Sequence, residues 1–373
     1  MKKVYLDNAS TTAVRPEVVQ EMTKILSENF GNPSSSHGFG RNAKSLLELA
    51  RKSIAKNFNC LAQEIIFTSG GTESNNLVIQ SAVKDLKISR IISSKIEHHA
   101  VLHAINQTQK DSNIEVDFVK ILSDGNIDLT HLVELLSDKK PTLVTLMHIN
   151  NEIGTVLDLE RVGIICKENN ALFLTDAVQS IGKTNIDLSL LNIDFLSASA
   201  HKFHGPKGVG FAFIKKGIAL KPIIVGGEQE KGLRAGTESL HNIAGMARAL
   251  DISLLRLETE KQHILNLKNY CIDQLKLKFD GFKINGKNTF YNILNINLPI
   301  DKSKSGMILF HLDMKGVAVS RGSACQSGSK KPSHVLAEIL SIDDLEKPSI
   351  RISFSHLNTF DDIDYLIQIL LGI

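Results

Sequence analysis

Ser197–Gly210 reads SASAHKFHGPKGVG, a run of small residues that delivers His201 and Lys202 into a Gly/Pro turn. Phe195–Ser199 before the turn and Gly210–Ile214 at its end have the apolar texture of strands. A lysine at the carboxyl end of a strand in an open parallel sheet faces the ligand crevice. Small flanking side chains let a bulky group approach the backbone there. Outward from this turn, strand-like runs recur at Glu64–Thr68, Ile88–Ser93, Thr142–His148 and Ala171–Leu174. Helical patterns lie between several of them, from Thr72 to Leu86 and from Ala100 to Gln107. Strands separated by helices imply crossovers, hence an α/β fold with a mainly parallel sheet covered on both faces.

From Ser239 to Leu277 the pattern predicts helix for nearly forty residues, with Leu240, Ile243, Met246, Leu250, Leu254 and Leu257 near a 3.6 period. Such a helix is expected to link two domains. Beyond it the texture changes to short strands (ILNINL, VAVS, IRISF) and helices around Met307–Met314, Val335–Leu340 and the terminus, a smaller α+β unit. The N-terminal residues are expected to return and pack with it.

The chain has 373 residues, which corresponds to about two to three domains. Its 43 basic and 40 acidic side chains are too evenly balanced for a nucleic-acid or membrane footprint. The absence of Trp argues against stacking platforms for bases. No apolar run approaches the roughly 18 residues of a membrane span. Asp7 and Asn8 interrupt any signal-peptide core, so a soluble, cytoplasmic protein is expected. Cys60, Cys166, Cys271 and Cys325 have no CxxC or metal-ligand spacing. The first three sit among apolar or amphipathic residues and read as small buried hydrophobes.

Twenty-six residues before Lys202, the apolar run ALFLT enters Asp176, with Gln179 three positions on. A carboxylate there can simply cap the next helix. Paired with Lys202, it fits pyridoxal phosphate, which needs a lysine for the Schiff base and an acid to keep its pyridine nitrogen protonated. FTSGGTESNN places Gly70, Gly71 and Thr72 between a strand and a helix start, where backbone N–H groups bind dianions. GFGRNA at Gly38–Ala43 follows GNPSSSH rather than a strand, which argues against a dinucleotide site. His99 and His103 have helical metal spacing, but no CxxC or HExxH supports zinc. His98 is better placed to stack on a flat ring.

Cys325 lies in SRGSACQSGSKKPS, a Gly/Ser-rich stretch that reads as a mobile, exposed loop. A thiol with ordinary pKa near 8.5 is only a few per cent thiolate at neutral pH. Arg321, Lys330 and Lys331 nearby would favour the thiolate. Arg351, in PSIRISFS, offers a bidentate fork for a carboxylate, or is a surface arginine on an edge strand.

Taken together, YLDNASTT, GNPSSSHGFGRNA, TSGGTESNN, EHHAVL, HINNEIG, TDAVQS, SAHKFHGPKG, LRAGTES, GSACQSGS and SIRIS resemble the NifS/IscS-like cysteine desulfurases of the class V aminotransferase family. The resemblance covers almost the whole chain. It implies a pyridoxal 5′-phosphate-dependent fold type I. The large domain, with a mainly parallel seven-stranded sheet, would span 15–257. A smaller α+β domain, from 1–14 and 258–373, would carry the cysteine loop. By motif, Lys202 would bind the cofactor covalently, Asp176 would pair with the pyridine nitrogen and Gln179 would contact the ring hydroxyl. Gly71, Thr72, Ser199 and His201 would surround the phosphate. Thr237 would reach the cofactor of a neighbouring subunit, implying a homodimer. His98 would stack on the ring and assist proton transfer, and Asn151 and Arg351 would orient the substrate carboxylate.

Cys325 would take sulfur from L-cysteine as a persulfide, releasing L-alanine, for delivery to an iron–sulfur scaffold or a tRNA-thiolation enzyme. A shared [2Fe-2S] cluster on Cys325 is a further implication for that residue. The rival readings are another class V aminotransferase and a selenocysteine lyase. Two features depart from the family pattern: Glu228 and Lys231 stand where Gly and Arg are usual, and FSHLNT follows Arg351 without the usual Gly-Arg pair; with Ile373 as its last residue, the chain is expected to lack the scaffold-docking extension.

Overall fold

Residues along each central strand alternate between two cores. Ile65, Phe67, Val144, Phe173, Leu196 and Phe211 enter one, while Ile66, Leu143, Leu174, Phe195 and Ala212 enter the other. That period of two builds a sheet covered on both faces. The computed structural model describes residues 2–301, 304–321 and 333–373. Its strands are, in chain order, β1 (Val4–Tyr5), β2 (Ile65–Thr68), β3 (Arg90–Ser94), β4 (Glu115–Val119), β5 (Thr142–Thr145) and β6 (Leu172–Asp176). They continue with β7 (Phe195–Ser199), β8 (Gly210–Ile214), β9 (Lys283–Ile284), β10 (Ile293–Asn297), β11 (Val317–Ala318) and β12 (Ser349–Ser353).

The main sheet has seven strands in the order β2-β8-β7-β6-β5-β3-β4. Only β8 runs antiparallel to its neighbours; the other pairs are parallel, joined by crossovers. Helices Gly38–Asn57 and Leu240–Leu255 supply buried residues to one face; Gly71–Asp85 and His99–Ser112 supply them to the other. Helix starts carry local signals. Asp158 accepts from Arg161 N at 3.0 Å, and Asp128 accepts from Thr130 N and His131 N at 3.0 and 3.1 Å. Gly38–Ala43 form the first turns of a helix rather than a strand–helix junction.

A second core joins Leu6 to Leu267, Cys271, Leu294, Ile296, Ile350, Ile352 and Leu366. Its sheet has the order β12-β10-β9, antiparallel, and β1 pairs in parallel with β11. The N-terminal segment therefore packs with these elements, Val4 and Leu6 lying in the same core. One expectation is corrected: the forty-residue helix is two, Leu240–Leu255 and Leu257–Lys278, broken at Arg256 (φ −97°, ψ 5°). The reason is packing. Leu240, Ile243 and Leu250 face the large core, whereas Ile264, Leu267 and Cys271 face the second. The break re-aims the apolar stripe from one to the other. Cys166 and Cys271 are buried as expected, but Cys60 is only half-buried.

The segment between β8 and Leu240 is fastened to the sheet by a buried ion pair. Arg51 forks onto Glu230, Nη1 to Oε2 at 2.7 Å and Nη2 to Oε1 at 2.8 Å, and Phe67 N donates to Oε2 at 2.8 Å. Glu230 and Lys231 are held at φ 46° and 60°, the left-handed region that costs most residues free energy. Removing one partner leaves a buried charge alone, which typically costs about 3–5 kcal/mol. Arg51→Met is therefore expected to lower the urea-unfolding free energy by about that amount, and Arg51→Met/Glu230→Leu to recover part of it. Circular dichroism melts in urea check both; an Arg51→Met protein as stable as the parent would show that the pair does not fasten the segment.

Candidate active site

Parallel pairing of β6 with β7, Asp176 opposite Ser197, brings their carboxyl ends side by side. Asp176 is the last residue of β6; Lys202 closes the short 3₁₀ turn Ala200–Lys202 after β7. Both line one cavity of about 250 Å³. Asp176 is 5% exposed, and its oxygens accept from Asn75 Nδ2 at 2.8 Å and Val178 N at 3.0 Å. These bonds offset the cost of burying the carboxylate. Lys202 Nζ donates to the carbonyls of Ala9 and Ser10 at 2.6 and 2.7 Å. The N-terminal segment runs along this turn: Thr12 N donates to His201 O at 2.9 Å and Arg15 N to His204 O at 3.1 Å.

At one margin of the cavity lies the Gly-Gly-Thr junction. Gly70 sits at φ +152°, a conformation open to glycine, and Gly71 opens the helix that follows. A Cβ on Gly71 would come within 2.4 Å of Val178 Cγ2, so no larger residue fits without displacing that side chain. Helix first-turn N–H groups lack intrahelical partners and attract anions. Thr72 and Ser199 line the same region. Next to it, Glu73 accepts from Arg234 Nε at 2.8 Å and Ser69 N at 2.8 Å. Burial opposes its charge, but Arg234 and Ser69 hold its carboxyl below the usual range.

His98 caps the helix His99–Ser112, with Nδ1 accepting from Ala100 N at 3.1 Å. An accepting Nδ1 on a neutral ring leaves the proton on Nε2. Burial pushes this imidazole's pKa down, with Asp176 opposing and Lys202 reinforcing the shift. His201 pairs Nδ1 with Thr11 Oγ1 at 3.1 Å, and burial plus the charge of Lys202 pushes its pKa down to about 4. Gln179 donates from Nε2 to Ala9 O at 2.8 Å.

Arg351, from β12, also lines the cavity. The surface alternative for this arginine is wrong: it is 1% exposed, because β12 pairs with β10 and the β1 segment covers it. Nη1 donates to Asn151 O at 2.7 Å, and Nη2 to Asp7 Oδ1 and Ser10 Oγ, both at 2.7 Å. Its Nε is buried with no hydrogen-bond partner among the described residues. Asn151 also lines the cavity.

The structure thus brings together ten sequence-selected residues: Gly71, Thr72, His98, Asn151, Asp176, Gln179, Ser199, His201, Lys202 and Arg351. Thr237 does not line this cavity; it is exposed, three residues beyond Arg234. Cys325, and with it the cluster-ligand expectation, lies outside the described residues. Among the described residues no group of three or more His, Cys, Asp or Glu is arranged to hold a metal ion, and His99 and His103 instead stack at 5.0 Å. Sequence reasoning missed Asn75, Ala9, Ser10 and Asp7. Asn75 stood inside TSGGTESNN, on the helix face that a spacing of three from Thr72 selects. The backbone carbonyls of Ala9 and Ser10 carry no side-chain signal.

The aminotransferase class-V family model matches residues 4–366. The cysteine desulfurase IscS of Dictyoglomus turgidum is 41% identical over 371 residues, covering 99% of this chain and 94% of that relative. Among solved structures, a NifS-like protein superposes with a TM-score of 0.91 at 35% identity, covering 100% of this chain and 99% of the other. The structure of SspA in complex with cysteine gives 0.83 at 32%, covering 96% and 100%. The chain belongs to the class-V aminotransferase family, in its cysteine desulfurase branch. Its α/β architecture is the pyridoxal-phosphate fold type I of those neighbours. Among the described residues no helix is long and apolar enough to cross a membrane.

Histidine burial near the site has a pH consequence. Burial pushes His148 to about 4, His201 to about 4 and His204 to about 3. The unfolded chain binds these protons near pH 6.5, so folded stability is present above that value and lost as pH falls from about 6.5 toward 4. Urea midpoints at pH 7.5 and pH 5 are expected to show the acid sample clearly less stable. Histidine NMR titrations with all three midpoints near 6.5 would contradict this.

Proposed function

We propose that this protein is a pyridoxal 5′-phosphate-dependent cysteine desulfurase that converts L-cysteine to L-alanine and leaves a persulfide on Cys325. The observation that carries the reading is the convergence of the Lys202 amine and the buried Asp176 carboxylate on one cavity, with a buried guanidinium at its margin. The donor set fits the cofactor. Lys202 would hold it covalently, and Asp176 would hold a proton on the ring nitrogen. Gln179 would meet the ring hydroxyl and His98 the ring face. The N–H groups at Gly71 and Thr72, with Ser199 and His201, would receive its phosphate. Bound there, the cofactor supplies an electron sink for the substrate's α-carbon.

The remaining steps belong to the chain's own side chains. Arg351, whose Nε has no partner among the described residues, and Asn151 orient the carboxylate of L-cysteine. The Lys202 amine takes the α-proton and, with His98, returns protons during turnover. The Cys325 thiolate attacks the substrate sulfur; the new S–S bond forms as Cβ–S breaks, and the carbon fragment takes up a proton to leave as alanine. The balance is one L-cysteine and one thiol in, one L-alanine and one persulfide out. The persulfide would pass to an acceptor protein, an iron–sulfur scaffold or a tRNA-thiolation enzyme, in the cytoplasm.

We also propose a homodimer in which the exposed Thr237 reaches the partner's cofactor, and a domain division at residues 15–257 against 1–14 with 258–373. The helix break at Arg256 and the place of Leu6 in the second core support that division.

Incubated with L-cysteine and a reductant, the cofactor-loaded protein is expected to form sulfide and alanine in equal amounts. Cys325→Ala is expected to lose alanine formation with its visible absorbance intact. Lys202→Ala is expected to lose the resting visible band and at least about 100-fold in rate. Alanine production at the parental rate in Cys325→Ala, or keto-acid-dependent transamination in place of sulfide release, would refute the assignment.

A further inference from the structure

Lys183 is a buried lysine that the reaction scheme above does not use. After Gln179 the chain passes through Gly182 at φ +73°, where a Cβ would come within 2.7 Å of Phe203 Cβ. This left-handed step returns Lys183 to Gln179: its Nζ donates to Gln179 O at 3.1 Å and to Gln179 Oε1 at 3.4 Å. Gln179 Nε2 in turn donates to Ala9 O, the same carbonyl that accepts from Lys202 Nζ. Two lysines thus grip opposite ends of one short chain of amides. Gln179, the residue between them, lines the cavity and is therefore held from behind.

The surroundings of Lys183 hold cations and imidazoles rather than free carboxylates. Lys202, His201 and His204 face it from the turn after β7, and Arg351 from β12. Across a small cavity, Glu260 of the helix Leu257–Lys278 is the acidic group, and Arg15 occupies it at 2.7 Å. The Tyr291 hydroxyl donates to the carbonyl of Lys183 at 3.0 Å rather than serving its amine. Burial first, then the charges of Lys202 and Arg351, push Lys183 down to about 7. Coulomb coupling between two amines is mutual, so a proton on either weakens the hold of the other on its own.

We propose that Lys183 is a positioning residue for this site: its amino group fixes the Gln179 carboxamide, and through Gln179 and the Ala9 carbonyl it is linked to the Lys202 amine. The inference rests on the reading of Lys202 as the reactive amine.

The test uses the cofactor-loaded protein without substrate, with Lys183→Met and Lys183→Gln as variants. Gln keeps a hydrogen-bond donor for Gln179 but removes the charge. Both are expected to raise the pH midpoint of the visible absorbance by about half to one unit, since a positive neighbour has gone. Their kcat/KM profiles are expected to move the same way on the acid limb. Reduced kcat with an unmoved midpoint in both variants would mean a merely structural role and overturn the proposal. NMR of lysine labelled with ¹³C at Cε, in cofactor-free parent protein, provides a second arm that depends on neither variant folding. Lys183 is expected to titrate below the usual lysine range, and a Lys183 midpoint near 10.4 would overturn the proposal. A parent protein that folds but gains no visible band with pyridoxal phosphate would refute the cofactor reading instead, while the NMR arm still decides the Lys183 titration.

Discussion

The parallel register between β6 and β7 sets where the acid and the amine of this site stand. Thr175 lies opposite Leu196 and Asp176 opposite Ser197, and both strands are wholly or nearly buried. Because side chains alternate with period two, slipping this pairing by one residue would exchange Asp176 with Thr175 and turn the carboxylate toward a core. The apolar neighbours forbid the slip: Phe173 and Leu196 belong to one core, Leu174 and Phe195 to the other. Packing on two faces thus fixes the acid, and the turn directly after β7 fixes the amine. The carboxyl edge of the sheet is where backbone hydrogen bonding ends and ligand-facing side chains begin.

That edge alone makes only half a site. The other half comes from the ends of the chain. Residues 9–15 are laced along the Lys202 turn by backbone bonds, and their carbonyls occupy the lysine's donors. Asp7 reaches from the same segment to Arg351 and accepts Ser320 Oγ at 2.9 Å, just before the stretch that contains Cys325. The small core holds this arrangement, because Leu6 is buried in it next to Asp7. Assembly of the cavity therefore depends on the N-terminus finding two partners, the turn after β7 and the strand β12. Arg351 shows the cost and the use of this placement. A guanidinium only 1% exposed must satisfy its donors, and three contacts do so while Nε has no partner among the described residues.

Much of this was legible because local chemistry and global position agree. β7 and β8 fall on the residues their texture selected, and Asp176, Lys202 and the Gly-Gly-Thr junction stand at element ends, where sequence signals are strongest. What escaped depended on remote partners. The helix break at Arg256 has no Gly or Pro to announce it; it follows from having two cores to serve. β4, with only Val119 fully buried, is an edge strand whose charged residues mask its pattern. Asn75, Ala9 and Lys183 act through contacts formed only when segments more than a hundred residues apart, or the two sides of a tight turn, are folded together.

The central claim is that one lysine, at one strand end, is the amine around which the site is built. Borohydride reduction of the protein in the presence of pyridoxal phosphate, followed by digestion and peptide mass spectrometry, tests it directly. The account predicts one modified site per chain, on the peptide containing Lys202, with Lys183 unmodified. A label on another lysine, or a label spread over surface lysines with Lys202 unmodified, would contradict it.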